Sequence, residues 1–380
     1  MKKFVALLAL TALPLLANAD SGVYDDRIVF GQSAVFSGPN RLLGMQYQAG
    51  LLAAFAERNA AGGVDGRALE MISLDDGYEP DRAAANAERF VSENDVFAVI
   101  GTVGTPTSRR IAPILRTAEI PLVGPFTGTD FLRDAQRFPY VVNLRTGYLQ
   151  EVEVLVDEMV ERGVARFGVI YQDDAFGRTV LANYKTVLDR YEIPILAKAS
   201  YTRNSHAVHS ALFSLEKADL EAILIVGSYA AGAEIMNLSH SLGHTYVMAS
   251  LSFAPSHELA SELVEFSERI IMTEVVPSVG NPNLEVVRNF LGAMAAMSDD
   301  VTDGHAPDET ALEGYILGHF VISVLERMEG EWTRDSFMAS ALSPEPVRVD
   351  DWELVFEPGS NTGTDFIRLI NFGDYDSIRE

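Results

Sequence analysis

Phe97-Ala98-Val99-Ile100-Gly101-Thr102-Val103-Gly104-Thr105-Pro106-Thr107-Ser108 runs from a short apolar segment, through glycines and hydroxyls, into a helix start. The apolar part, Phe97 to Ile100, is the length of a buried strand, and Thr107 to Ala118 has helical spacing and ends before Pro121. A strand that passes into a helix through so short a loop is half of a βαβ unit. Working outward, the same rhythm recurs in both directions. In the first half, strands are expected at Ile28 to Val35, Leu69 to Leu74, Pro121 to Val123 and Tyr140 to Leu144. In the second, they are expected at Phe167 to Tyr171, Ile195 to Tyr201, Ala222 to Val226, Tyr246 to Met248 and Ile270 to Val275.

Helices fill the gaps. Gly44 to Asn59 stops at Gly62-Gly63, and Pro80 opens a helix that runs to Val91. The fold class is therefore α/β: two similar doubly wound parallel-sheet lobes. After Pro277 come two helices, Leu284 to Met297 and Glu309 to Met328, then two strands, Trp352 to Phe356 and Phe366 to Asn371. The expected division is residues 26–144 plus 277–345 for lobe I and 145–276 plus 346–380 for lobe II. Several crossings would make a hinge able to close on a ligand.

Composition narrows the function. Lys2 and Lys3, an apolar run from Phe4 to Leu16 and Ala17-Asn18-Ala19 make a secretory signal peptide over residues 1–19, with cleavage expected before Asp20. A run of about a dozen residues is too short to span a bilayer, which takes roughly 20. The absence of cysteine excludes disulfides, thiolate metal sites and a lipidated cysteine tether. A periplasmic protein is the expectation. With 54 acidic and 29 basic residues the chain carries a net charge of −25, which argues against nucleic acid as a partner.

No catalytic pattern stands out. The pairs Asp75-Asp76, Asp173-Asp174 and Asp299-Asp300 are adjacent residues that point in different directions, and no Gly-x-Ser-x-Gly or His-Glu-x-x-His sequence is present. No enzyme activity, cofactor or metal is expected.

Ligands of doubly wound sheets bind beyond the carboxyl ends of the strands. Those ends here are Ser37 to Asn40, Gly101 to Ser108, Gly124 to Thr129, Gln172 to Gly177, Gly227 to Tyr229 and Ser250 to Phe253. The glycine and hydroxyl content of the Gly101–Ser108 loop suits a carboxylate at a helix start, with Thr105 a candidate N-cap.

These segments, taken in order with Asn59-Ala60-Ala61-Gly62-Gly63-Val64, Asp75-Asp76 before Pro80, Pro125-Phe126-Thr127-Gly128, Tyr171-Gln172-Asp173-Asp174 and Glu313-Gly314-Tyr315, resemble the leucine/isoleucine/valine-binding protein family. Members are type I periplasmic solute-binding proteins of ABC transporters. The resemblance implies a hinged cleft in which the first lobe holds a ligand carboxylate and the second closes over it. By position, Thr105 matches the serine that holds the carboxylate, with Val103 and Gly104 beside it. Phe126, Thr127 and Gly128 match the second carboxylate loop. Leu43, Phe176 and Tyr229 match aromatic pocket positions, and Tyr148, Ser252 and Glu313 complete the candidate ligand set.

Amino-acid binders of the family place a carboxylate near the Ser250–Ser252 segment for the ligand ammonium. Here it reads Ser250-Leu251-Ser252, so either the ligand lacks an α-amino group or Asp173 or Glu313 substitutes. The implied partners are a small-molecule ligand, an amino acid or related organic acid or amide, and a membrane permease. A monomer is expected. Presentation of the ligand to a membrane receptor or kinase is the alternative use of the same fold.

Overall fold

The structure, a computed structural model, describes residues 21–374 except 94, 266–268, 299–300 and 302. The signal-peptide expectation lies outside the described residues.

The first sheet holds β1 (Arg27–Ala34), β2 (Ala68–Asp75), β3 (Ala98–Ile100), β4 (Leu122–Val123) and β5 (Val141–Val142). They are parallel throughout, in the order β2-β1-β3-β4-β5. The second sheet contains β6 (Phe167–Gln172), β7 (Ile195–Tyr201), β8 (Ala222–Val226), β9 (Val247–Ser250) and β10 (Ile270–Glu274). A hairpin of β11 (Val347–Val349) and β12 (Trp352–Leu354) follows, and β13 (Arg368–Asn371) then joins the second sheet antiparallel to β10. That sheet runs β13-β10-β9-β8-β6-β7.

The helices are α1 (Arg41–Ala60), α2 (Pro80–Ser92), α3 (Thr105–Thr117), α4 (Tyr148–Glu161), α5 (Ala175–Arg190), α6 (His209–Leu215), α7 (Tyr229–Ser241), α8 (Ser256–Glu262), α9 (Glu285–Ala295), α10 (Glu309–Glu326) and α11 (Arg334–Ala341). They cover both faces of the first sheet. Alternate residues of β1 serve opposite sides: Ile28 and Phe30 pack in the cluster with Leu51 and Phe55 of α1, while Val29 packs with Phe90 of α2 and Ile111 of α3. Burial on both faces is why the strands read as continuous apolar runs.

Every strand expected in the two sheets is present, within a few residues at the ends. The two strands expected after residue 350 do not pair with each other. Trp352–Leu354 pairs with Val347–Val349, a strand too short to show a period, and Arg368–Asn371 pairs with β10. The β11–β12 hairpin packs on α10, which packs on α1. Residues 347–354 thus lie with the first sheet, and the return expected at 346 comes only at β13. Among the described residues, three passages connect the sheets: β5 to β6, β10 to α9, and β12 to β13.

The α1–α10 crossing is close because glycines line it. A Cβ at Gly50 would stand 1.7 Å from the Ala311 carbonyl oxygen, and one at Gly314 would stand 2.1 Å from that of Tyr47. This approach sets the position of Glu313 and Tyr47 relative to the first sheet. Gly50→Ala should force the helices apart and cost about 1–3 kcal/mol, the range for overpacking. Urea unfolding at neutral pH measures it, and an unchanged midpoint would show that the crossing is looser than its geometry.

Candidate functional site

The Gly101–Ser108 loop turns into α3 at Gly104, whose φ of 94° puts it in the left-handed region. A Cβ there would lie 2.2 Å from the Tyr78 ring. Gly104 is the N-cap, without any side-chain cap, so Thr105 is the first residue of the helix and not the cap expected of it. Its hydroxyl is thereby free to turn to the neighbouring loop, where Thr105 Oγ1 and Thr127 Oγ1 are 2.7 Å apart. The two loops are joined along their backbones: Phe126 N donates to the Thr102 carbonyl at 2.7 Å and Gly104 N to that of Phe126 at 3.1 Å. Val103 and Phe126 form a bridge between them. Gly128 has no room for a side chain either, because its Cβ would meet the Tyr148 ring at 2.7 Å. A hydroxyl pair at the positive end of a 13-residue helix is suited to an anion.

Aromatic rings from both sheets close over this pair. Phe253, just beyond β9, has its ring centroid 4.7 Å from Phe176, 5.9 Å from Tyr78 and 6.0 Å from Phe126. Tyr148 lies 5.3 Å from Phe176, and its hydroxyl accepts a 3.3 Å bond from Thr127 Oγ1. Of these rings, Phe126, Tyr148 and Phe176 were candidates from the sequence; Tyr78 was not, and Phe253 was named only within its segment. Tyr78 sits at φ 62°, which is uncommon for a large side chain, and its hydroxyl accepts from Gln172 Nε2 of the other sheet at 3.3 Å. The turn is held by the Asp76 carboxylate, which accepts from Tyr78 N and from Ser33 Oγ, both at 2.8 Å. Burial pushes the Asp76 carboxyl up to about 6, against those bonds.

Behind the rings lies a buried ionic network. Arg145, 2 percent exposed, stacks 4.1 Å from the Phe126 ring centroid, donates from Nη2 to Ser252 Oγ at 2.6 Å and faces Glu313 Oε1 at 3.4 Å. Ser252 N donates to Glu151 Oε2 at 3.0 Å, and Thr273 Oγ1 donates to the same oxygen at 2.6 Å. Burial raises the Glu313 carboxyl to about 7 even with Arg145 beside it.

The acids named as possible partners for an ammonium are therefore engaged elsewhere. Glu313 faces Arg145, and Asp173 forms an exposed ion pair with Arg178. Asp174 caps α5 through Phe176 N and Gly177 N. In this network a buried carboxylate oxygen with no hydrogen-bond partner is Oε1 of Glu151, a residue the sequence gave no reason to single out.

Other contacts seal the mouth. Tyr229 OH donates to the Pro39 carbonyl at 2.8 Å, so this residue sits at the rim and not against the threonines. Arg203 Nη2 donates to Glu79 Oε2 at 2.6 Å, and Asn204 Nδ2 to Glu79 Oε1 at 2.7 Å and to the Gly77 carbonyl at 3.0 Å. Asn40 Nδ2 donates to Asn204 Oδ1 at 3.0 Å. These bonds join the loops after β1 and β2 to the loop after β7. Leu43 is fully buried in the first turn of α1.

Comparison with known proteins agrees with this architecture. The sequence model of the periplasmic binding protein family matches residues 27–359. A Leu/Ile/Val-binding protein homolog 7 from Brucella suis is 26% identical over 228 residues, 57% of this chain and 56% of the relative. The chain thus spans little more than half the length of the relatives it matches. A crystal structure of a possible leucine/isoleucine/valine-binding protein from Rhodopirellula baltica superposes with a TM-score of 0.84 at 28% identity, covering 92% of this chain and 94% of that one. A fatty acid ABC transporter substrate-binding protein from Thermomonospora curvata shares the fold at 18% identity, with a TM-score of 0.83 over 93% and 90% of the two chains. With two lobes, a sealed cleft between them and a family match over most of its length, the chain belongs to the periplasmic binding protein family, with the type I fold and Leu/Ile/Val-binding proteins among its relatives.

Proposed function

We propose that the protein is a periplasmic solute-binding protein of an ABC importer that captures a small carboxylate-bearing ligand, an amino acid or related organic acid or amide, and catalyses nothing. The observation that carries this reading is the Thr105–Thr127 hydroxyl pair at the N-terminus of α3, enclosed by rings from both lobes. Val103, Gly104, Thr105, Phe126, Thr127, Gly128 and Tyr148 form the carboxylate end, and Phe176 and Phe253 the cover. Lobe I supplies the hydroxyls and lobe II most of the cover. The relatives described for Leu/Ile/Val and for a fatty acid differ in the body of the ligand but share a carboxylate, which fits this division of the cleft. The unpartnered Glu151 oxygen offers an acceptor to an ammonium group.

Thermal-shift and calorimetric titration with leucine, 4-methyl-2-oxopentanoate, benzoate and decanoate test the class and the need for an amine. In Thr105→Ala the affinity for whichever of these binds should fall by about 1–3 kcal/mol, the range for a hydrogen bond to a charged group. Unchanged affinity would remove Thr105 from the site. A protein that binds none of them, and releases no small acid on denaturation, would overturn the reading.

A further inference from the structure

A further contact between the lobes brings two carboxyls together. Glu258 lies on α8, which packs on α7 and is tied to β10 of the second sheet by a 2.8 Å bond from Ser256 N to Glu274 Oε1. Asp308 is the N-cap of α10, which packs on α1 of the first. Both are buried, 2 and 0 percent exposed, and their carboxyls are within hydrogen-bonding contact of each other.

Each has one oxygen committed. Glu258 Oε1 accepts from Thr310 Oγ1 at 3.0 Å, and Asp308 Oδ1 accepts from Ala311 N at 2.8 Å. The remaining oxygens, Glu258 Oε2 and Asp308 Oδ2, are buried without any donor. Two carboxylates cannot meet in this way with both ionised, whereas one shared proton converts repulsion into a hydrogen bond.

Among the described residues, no nearby cation donates a hydrogen bond to either of these two oxygens. Arg368 of β13 is held by Glu309 Oε1 at 3.0 Å, and Glu274, itself raised to about 8 by burial and by Glu309, adds a further acid. A cavity of about 230 Å³ beside the pair is lined from both lobes by Arg41, Tyr229, His257, Glu262 and His305, and gives protons a route in. Arg41 opens α1, Tyr229 is held at Pro39 and His305 lies 3.9 Å from Asp303.

We propose that closure of the cleft takes up one proton, shared between Glu258 and Asp308, so that the closed form is favoured as pH falls. The proposal rests on the reading of this cleft as one that opens and closes, and concerns its regulation. In the open form the two carboxyls part, regain water and ionise at ordinary pH. Reclosing them at high pH then requires a proton taken from solvent.

The absence of cysteine allows closure to be followed without ligand, by fluorescence transfer between dyes on Glu88→Cys and Lys185→Cys, exposed positions in opposite lobes. The closed-to-open ratio should rise towards tenfold per pH unit as pH drops from 8.5 to 5.5, the slope for one proton. Asp308→Asn keeps the N-cap acceptor and can donate to Glu258, so it should remain closed with a flattened pH profile. Glu258→Gln should flatten it likewise, which guards against a folding defect in either variant. A closed fraction that does not change with pH, or the full slope retained in both variants, would overturn the proposal. Because no ligand is used, failure of the carboxylate-binding reading would show separately, as a protein that closes with pH yet binds none of the acids.

Discussion

Arg145→Leu should lose about 3–5 kcal/mol of folding stability at pH 8, the cost of leaving one member of a buried ion pair behind. The reason is the isolation of Arg145 and Glu313. They come from the end of the first sheet and from α10, both are almost wholly buried, and Ser252 also depends on the Arg145 guanidinium. Without the arginine, Glu313 must either ionise in an apolar site or take up a proton. Its carboxyl is already raised to about 7, so stability tied to it is complete below the ordinary carboxylate range and is lost as pH rises through 7. Removing Arg145 raises it further. The variant should therefore be much closer to the native protein at pH 5.5 than at pH 8. The double variant Arg145→Leu with Glu313→Leu should recover most of the loss at pH 8, since replacing a buried pair with apolar residues is often neutral or better. Urea unfolding of the native protein, Arg145→Leu, Glu313→Leu and the double variant at the two pH values decides it. A loss independent of pH, with no recovery in the double variant, would mean that Arg145 matters for its packing on Phe126 alone.

Much of the fold was legible because the information was local. Buried parallel strands such as Ala222–Val226 are apolar on both faces, and helices such as Pro80–Ser92 carry their own start signal. The glycine-rich loop before α3 could likewise be located from its residues. Other features depend on contacts between residues far apart in the chain. Arg145 meets Ser252 across 107 positions and Glu79 meets Arg203 across 124, and no periodicity records such pairs. Thr105 was expected to cap its own helix because that is the usual local use of a threonine there, yet Thr127 competes for the hydroxyl and Gly104 takes the cap. Tyr78 follows Asp75-Asp76-Gly77, a turn composition, and turn tyrosines are ordinarily exposed; only the packing of Gly104 and Phe253 against it shows that it faces inward.

Phe253→Ala separates a residue of the cleft from a residue of a lobe core. Truncating a buried phenylalanine costs about 3–5 kcal/mol when all its neighbours stay in place in the folded state. Phe55 of α1 meets that condition, since its partner Phe30 at 5.5 Å belongs to the same lobe. Phe55→Ala should thus lower unfolding stability by that amount and leave ligand affinity alone. Phe253 differs: Phe176 is in its own lobe, whereas Tyr78 and Phe126 reach it from the other. If the cleft opens, the second set of contacts is lost without unfolding. The ligand-free stability of Phe253→Ala should therefore fall by less than that of Phe55→Ala, while affinity falls about a hundredfold, equivalent to about 2.7 kcal/mol. Calorimetric titration with the bound acid and urea unfolding of the ligand-free protein give the two quantities. A stability loss as large as that of Phe55→Ala together with native affinity would place Phe253 in the core of the second lobe, and the cover of the cleft would then rest on Phe176 and Tyr148.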